Sequence, residues 1–168
     1  MERPELQLTR RSRQIEFHCE ALPPLSVLER QWRQLEATGK PSFFTSWHWI
    51  GTFLAALPGP SRPQLLRGSA NGATVAMALL GANETRRRRG LVRSRGLYVN
   101  ETGDPRFDSV TIEHNDILAA AEWEAVAGSE LIAWFAEKGV TGREWKSIST
   151  KYGWSLRLSA QHRSPLAV

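Results

Sequence analysis

The sequence predicts a mixed α/β fold of the α+β kind, with a mostly antiparallel sheet flanked by helices. Three observations carry this. An alternating segment opens the ordered region at 15–22. Two helical stripes of apolar residues follow it. Two apolar runs then meet at Asn71-Gly72, the strongest short-range signal for a β-hairpin. The predicted order is β-α-α-β-β-β-β-α-β-β, in which a central meander excludes an all-helical or regularly alternating parallel architecture.

Residues 1–14 are polar and carry Arg10, Arg11 and Arg13, which reads as a flexible basic tail before one domain spanning 15–168. Ile15, Phe17, Cys19 and Ala21 alternate onto one face of the first strand, and Pro23-Pro24 stops it. Leu28, Trp32 and Leu35 recur at helical spacing over 26–37, with Gly39 as the expected C′ residue. The loop KPSFF follows. Ser46 is placed to cap a second helix carrying Trp49, Ile50, Phe53, Leu54 and Leu57, which Pro58-Gly59-Pro60 ends.

Beyond the hairpin, the arginines at 86–89 are expected to interrupt the sheet as an exposed loop. Strands are expected at 96–100 and 109–113, separated by the turn-rich NETGDPRFD. A helix is expected over 124–138, with Leu131, Ile132 and Phe135 inward and Gly139 as its stop. Short strands at 145–149 and 154–160 complete the order. No repeat at a fixed period is present.

With 168 residues, 41% hydrophobic and 23% charged, the chain is long enough to bury a core. Its 13 glycines and 9 prolines are too few for a collagen-like or low-complexity chain. The N-terminus is charged and lacks an apolar core, unlike a secretory signal. The longest apolar run, 73–82, falls well short of the ~20 residues a membrane span requires. Cys19 is the single cysteine, which excludes an internal disulfide or a multi-cysteine zinc site. A reducing cytoplasmic setting is therefore expected.

Net charge is +5, and every basic residue except Lys40, Lys138, Lys146 and Lys151 is arginine. Six arginines fall within 86–95 with no acid among them, whereas Glu101, Asp104, Asp108, Glu113 and Asp116 crowd the following segment. Each block is able to face a charged ligand, or the two are able to face each other. The Arg86–Arg95 block reads either as an anion site, since Arg pairs bidentately with phosphate, or as a solvated loop. It supports binding to nucleic acid or an acidic glycan only weakly, because few aromatics interleave with the basic residues.

No phosphate-loop, nucleophile-elbow, zincin or dinucleotide motif is present, and His18, His48, His114 and His162 have no metal-ligand spacing. The segment 98–116, YVNETGDPRFDSVTIEHND, is the candidate site: a polar turn held between apolar strands. Glu101, Glu113 or His114 serves as a general base there if burial moves its pKa toward neutrality. Asn100, Asp104, Asp108 and Asn115 supply polar binding groups. The competing reading is a turn at Asp104-Pro105 whose acids face water. Trp47, on a different helical face from Trp49, is the better aromatic candidate for ligand contact, with core or partial exposure as its competing reading, and Trp49 and Phe53 are assigned to the core. Cys19 is expected to be a small buried hydrophobe.

PSFFTSWHWIGTFLAAL, the hairpin, the arginine-rich stretch and LYVNETGDPRFDSVTIEHNDIL together resemble the N-terminal half of CelD/BcsL-type acetyltransferases. These are GNAT-superfamily proteins linked by name to cellulose biosynthesis and similar in layout to FemAB-like tandem enzymes. The final RSPLAV resembles the linker before their second half. The resemblance implies a GNAT-like fold and an acyl-CoA co-substrate. It implies acyl transfer to an amine or hydroxyl of a small molecule or glycan precursor. Glu101 and Glu113 are then the candidate bases. Trp47, Asn100, Asp104, Asp108, His114 and Asn115 line the acceptor, and Arg87 and Gly90 begin the pyrophosphate loop. Val92 stands where that loop has its second small residue. The implied partner is a second GNAT half or another copy of the chain. Alternatives are a non-catalytic acceptor- or partner-binding module of the same fold, and a basic binder acting through the Arg86–Arg95 block.

Overall fold

The computed structural model describes residues 14–87, 92–108, 115–138 and 158–161. Strands β1 (Glu16–Glu20), β2 (Gln64–Ala70), β3 (Ala73–Arg87), β4 (Val92–Val99), β5 (Leu118–Ala119) and β6 (Leu158–Gln161) share one sheet. Its order is β1-β2-β3-β4-β6, with β5 beside β3, and each pairing is antiparallel. Helices α1 (Leu25–Glu36), α2 (Trp47–Ala56) and α3 (Glu124–Glu137) complete the α+β architecture. No helix among the described residues is long and apolar enough to cross a membrane.

The helices lie on both faces of the sheet. One core packs Leu65, Met77 and Leu79 against Leu28, Trp32 and Leu35 of α1 and Trp47, Ile50 and Leu54 of α2. The other packs Leu66, Ala76, Ala78 and Leu80 against Ala127, Leu131, Trp134 and Phe135 of α3. Successive strand residues face opposite ways, so burial on both faces requires an unbroken apolar run, which is what 75–80 provides. On the α1 side, Arg67 spans the strands. It pairs with Glu20 at 2.7 Å and donates to Gln31 and Thr74 at 3.1 Å.

Asn71 and Gly72 turn the hairpin with φ of 51° and 77°, the positive values a type I′ turn requires. Ser46 caps α2 by accepting a hydrogen bond from the Trp49 N–H. The expected strands at 15–22 and 96–100 and helices at 26–37 and 124–138 correspond to β1, β4, α1 and α3 within a few residues. Part of the expected strand 154–160 is present as β6. The expected strands 109–113 and 145–149 lie outside the described residues.

Several expectations change. Arg86 and Arg87 do not leave the sheet: β3 continues through them, with Arg86 opposite Arg93 and Arg87 opposite Val92. The backbone ladder supplies their hydrogen bonds regardless of side chain, so a charged run does not by itself end a strand. Gly39 has no left-handed φ. Its role is close approach, because a β-carbon there would lie 2.2 Å from the Ala119 carbonyl oxygen, next to the bridge between Gly39 and Ala120. On α3, Trp134 takes the inward position and Ile132 is 38% exposed. Within KPSFF, Phe43–Thr45 form a 3-10 turn closed by a reciprocal cap between Ser42 and Thr45. Cys19 is half-buried rather than enclosed.

Candidate functional site

The site forms where the sheet divides. β5 and β4 occupy the same edge of β3, facing Ala76–Met77 and Leu80–Arg87 respectively. Between them lies Leu79, whose backbone is met by one residue. Asn100 donates its N–H to the Leu79 carbonyl at 2.8 Å and accepts the Leu79 N–H on Oδ1 at 2.9 Å. With φ of 53°, Asn100 also turns the chain off the end of β4. Its Nδ2 donates to Asn115 Oδ1 at 3.1 Å and to the Asp116 carbonyl at 2.6 Å, while Asn115 Nδ2 donates to the Val99 carbonyl. Both asparagines are buried. Both are candidate binding residues, and these side-chain amides join the strands, as buried amides require partners.

Past Asn100 the chain crosses directly over Gly81. A β-carbon at Gly81 would sit 2.2 Å from the Glu101 carbonyl oxygen and 2.6 Å from the Thr102 carbonyl. Asp108 then ties the segment into a compact turn. Its Oδ1 accepts from the Thr102 N–H at 2.8 Å and hydroxyl at 2.9 Å, and its Oδ2 accepts from the Gly103 N–H at 2.6 Å. Gly103, at φ 82°, supplies the left-handed bend. Asp104 faces outward and receives Arg106 through Nε at 3.1 Å and Nη2 at 2.6 Å. That guanidinium holds the Asp104 carboxyl below its ordinary range. Arg106 also lies over the Phe107 ring, 5.5 Å from its centroid.

Between this turn and α2 is a cavity of about 290 Å³. Trp49, Thr52, Phe53, Ala56 and Leu57 wall it on one side, and Asn100, Glu101, Arg106, Phe107 and Asp108 on the other. An apolar wall facing a few polar groups, at this size, is the ordinary form of a small-ligand site. Glu101 is 9% exposed. Trp49 belongs to a second feature as well: Phe43 and Phe44 pack on it at 5.5 and 5.2 Å, and Phe43 is 60% exposed.

Of the expected site residues, the structure brings Asn100, Glu101 and Asp108 to this cavity and leaves Asp104 just outside its lining. Glu113, His114 and Gly90 lie outside the described residues. Trp47 takes its core reading rather than the site, and the core assignment of Trp49 and Phe53 changes. Trp47 is buried against Trp32, at a ring separation of 6.4 Å, and its backbone N–H donates to the Glu36 carboxylate at 2.7 Å. Trp49 and Phe53 face the cavity instead. The core stripe of α2 starts at its first residue and runs Trp47, Ile50, Leu54, so Trp49, Phe53 and Ala56 form a second apolar stripe. That second stripe was the available signal, because a helix apolar on two faces has something to cover on each. Phe107, between charged neighbours, gave no comparable signal.

Among the described residues no group of three or more His, Cys, Asp or Glu is placed to hold a metal ion. The cysteine gives no activated nucleophile: burial pushes the Cys19 thiol up, only partly opposed by the Lys138 charge. Compared with known proteins, no family model matches the chain. No curated protein and no solved structure matches it significantly either.

Proposed function

We propose that the chain is a small-molecule-binding domain laid out like the N-terminal half of a GNAT-type acyltransferase, with the α2 cavity as its acceptor site. The observation that carries this reading is the pairing of an apolar helix face with Glu101 and Asp108 across a cavity of about 290 Å³. A ligand with an apolar body and an amine or hydroxyl group suits that wall. The α2 cavity alone is too small for the acyl-CoA donor. The cavity lies at the small end of ligand pockets, roughly 300–1,000 Å³, and a nucleotide-bearing thioester exceeds it. Arg87 pairs with Val92 of β4, and residues 88–91, Gly90 among them, lie outside the described residues. The donor is therefore assigned to a second half or a separate chain.

A catalytic reading keeps Glu101 as the base that takes the acceptor proton, and its burial at the cavity wall favours this. Two measurements test the proposal. A fragment screen read by ¹⁵N-resolved NMR is expected to place its hits on α2 and residues 100–108; hits confined to other surfaces overturn the acceptor site. Calorimetric titration with acetyl-CoA, and with coenzyme A as control, is expected to show no saturable binding. Saturable acetyl-CoA binding overturns the division of labour and returns the donor to this chain.

A further inference from the structure

We infer that the ligand of the α2 cavity is an organic ammonium ion: a protonated amine on an apolar body, selected over its neutral isostere. This rests on the proposed acceptor site and names its substrate class. Three aromatic residues, Trp49, Phe53 and Phe107, line a space whose lining also includes two acidic residues, Asp108 and the buried Glu101. Aromatic faces carry negative charge at their centres, and a cation against them gains most where water is excluded. A carboxylate beside such faces adds a directional acceptor for N–H groups. A neutral hydroxyl gains neither of these as strongly, and an anion is repelled by both.

The charges at the cavity support this choice. Asp108 takes its three hydrogen bonds from neutral groups, the Thr102 N–H and hydroxyl and the Gly103 N–H. No described cation pairs with it. Among the described residues Arg106 is the cation in the lining, and its charge is met by Asp104, outside the lining, through the bonds at 2.6 and 3.1 Å. The guanidinium nevertheless rests on Phe107, so a ring of this site already receives a cation on its face. Arg106 is 78% exposed and bound to Asp104, which leaves the Trp49 and Phe53 side of the cavity for a second cation. The apolar part of the remaining α2 wall, Ala56 and Leu57, takes the apolar body of the ligand.

The test compares cyclohexylamine with cyclohexanol, equal in shape and different in charge at neutral pH. Each is titrated into the intact chain by calorimetry, and the contact is located from the Trp49 indole resonance. The amine is expected to saturate at least ten-fold more tightly than the alcohol. Asp108→Asn is expected to remove most of that preference. Because Asp108 also anchors its own turn, Phe53→Leu serves as the second variant: it keeps an apolar side chain there, removes the ring, and is expected to weaken the amine several-fold more than the alcohol. Equal or tighter binding of the alcohol overturns the inference. So does amine binding that leaves the Trp49 resonance unmoved, or a preference that survives both variants. If neither probe binds while other fragments still occupy the cavity, the ammonium assignment falls and the acceptor site stands. If nothing occupies the cavity, both fall.

Discussion

The Glu101 main chain rests on Gly81, with its carbonyl oxygen 2.2 Å from where a β-carbon at Gly81 would be. The contact is backbone on backbone, so no rotamer change relieves it. One hydrogen at position 81 therefore sets the height of the whole 100–108 segment above β3. Gly81→Ala is expected to cost about 1–3 kcal/mol, as overpacking does, and to abolish ligand binding in the cavity. Urea unfolding and calorimetry on the same variant check both parts. Unchanged binding would show that the segment adjusts without moving Glu101.

Asn100 acts as a piece of strand made from a side chain. Asn100→Ala leaves the buried Leu79 N–H without its acceptor and removes the link to Asn115. The expected loss is about 1–3 kcal/mol for the unsatisfied donor. Further loss comes from the positive φ, which alanine tolerates less well than asparagine. Asn100→Gly keeps the φ and loses the same hydrogen bonds, so the difference between the two midpoints in urea isolates the backbone contribution.

The two tryptophans of α2 separate stability from binding. Trp47→Leu removes a ring buried among Trp32 and Ile50 and is expected to cost roughly 3 kcal/mol, with the cavity chemistry unchanged in whatever remains folded. Trp49→Leu is expected to cost less and to remove ligand-dependent fluorescence change. Thermal melts and emission spectra of the pair decide it, and the reverse pattern would return Trp47 to the site.

Asp104 gives the outer turn a pH dependence of known sign. Its carboxyl is lowered from 3.8 by the Arg106 guanidinium. Its contribution is therefore present above that value and is lost as pH falls through the lower, folded-state value. Protection of the Arg106 N–H from exchange is expected to persist at pH 4 and to vanish on further acidification. Asp104→Asn is expected to show weak protection at every pH.

Cys19 runs in the opposite direction. Burial raises its thiol from 9.0. The folded chain keeps the proton that the unfolded chain gives up, so the stability linked to it is complete below pH 9.0 and declines as pH rises through the folded value. Alkylation by iodoacetamide at pH 8 is expected to be slower in the native chain than in the chain unfolded in urea. Equal rates would place the thiol in water.

Local patterns made much of this protein legible. Alternation at Ile15, Phe17 and Cys19, the stripe Leu28, Trp32, Leu35, the Ser46 cap and the Asn71-Gly72 turn each depend on neighbours within a few residues. Each therefore determined its own element, and the acidic turn at 100–108 announced itself through Asp-Pro and Gly in the same way. What needed the tertiary structure were the long-range contacts. Arg86 and Arg87 stay in strand because β4 pairs with them. Asn100 is a strand splice because Leu79 lies 21 positions away. Gly81 matters because the 101–102 main chain crosses it. Trp47 and Trp49 exchange roles because the sheet chooses which face of α2 it covers, and a helix apolar on two sides does not carry that choice in its own spacing. Periodicity reports that a face is apolar; only packing decides whether a core or a cavity meets it.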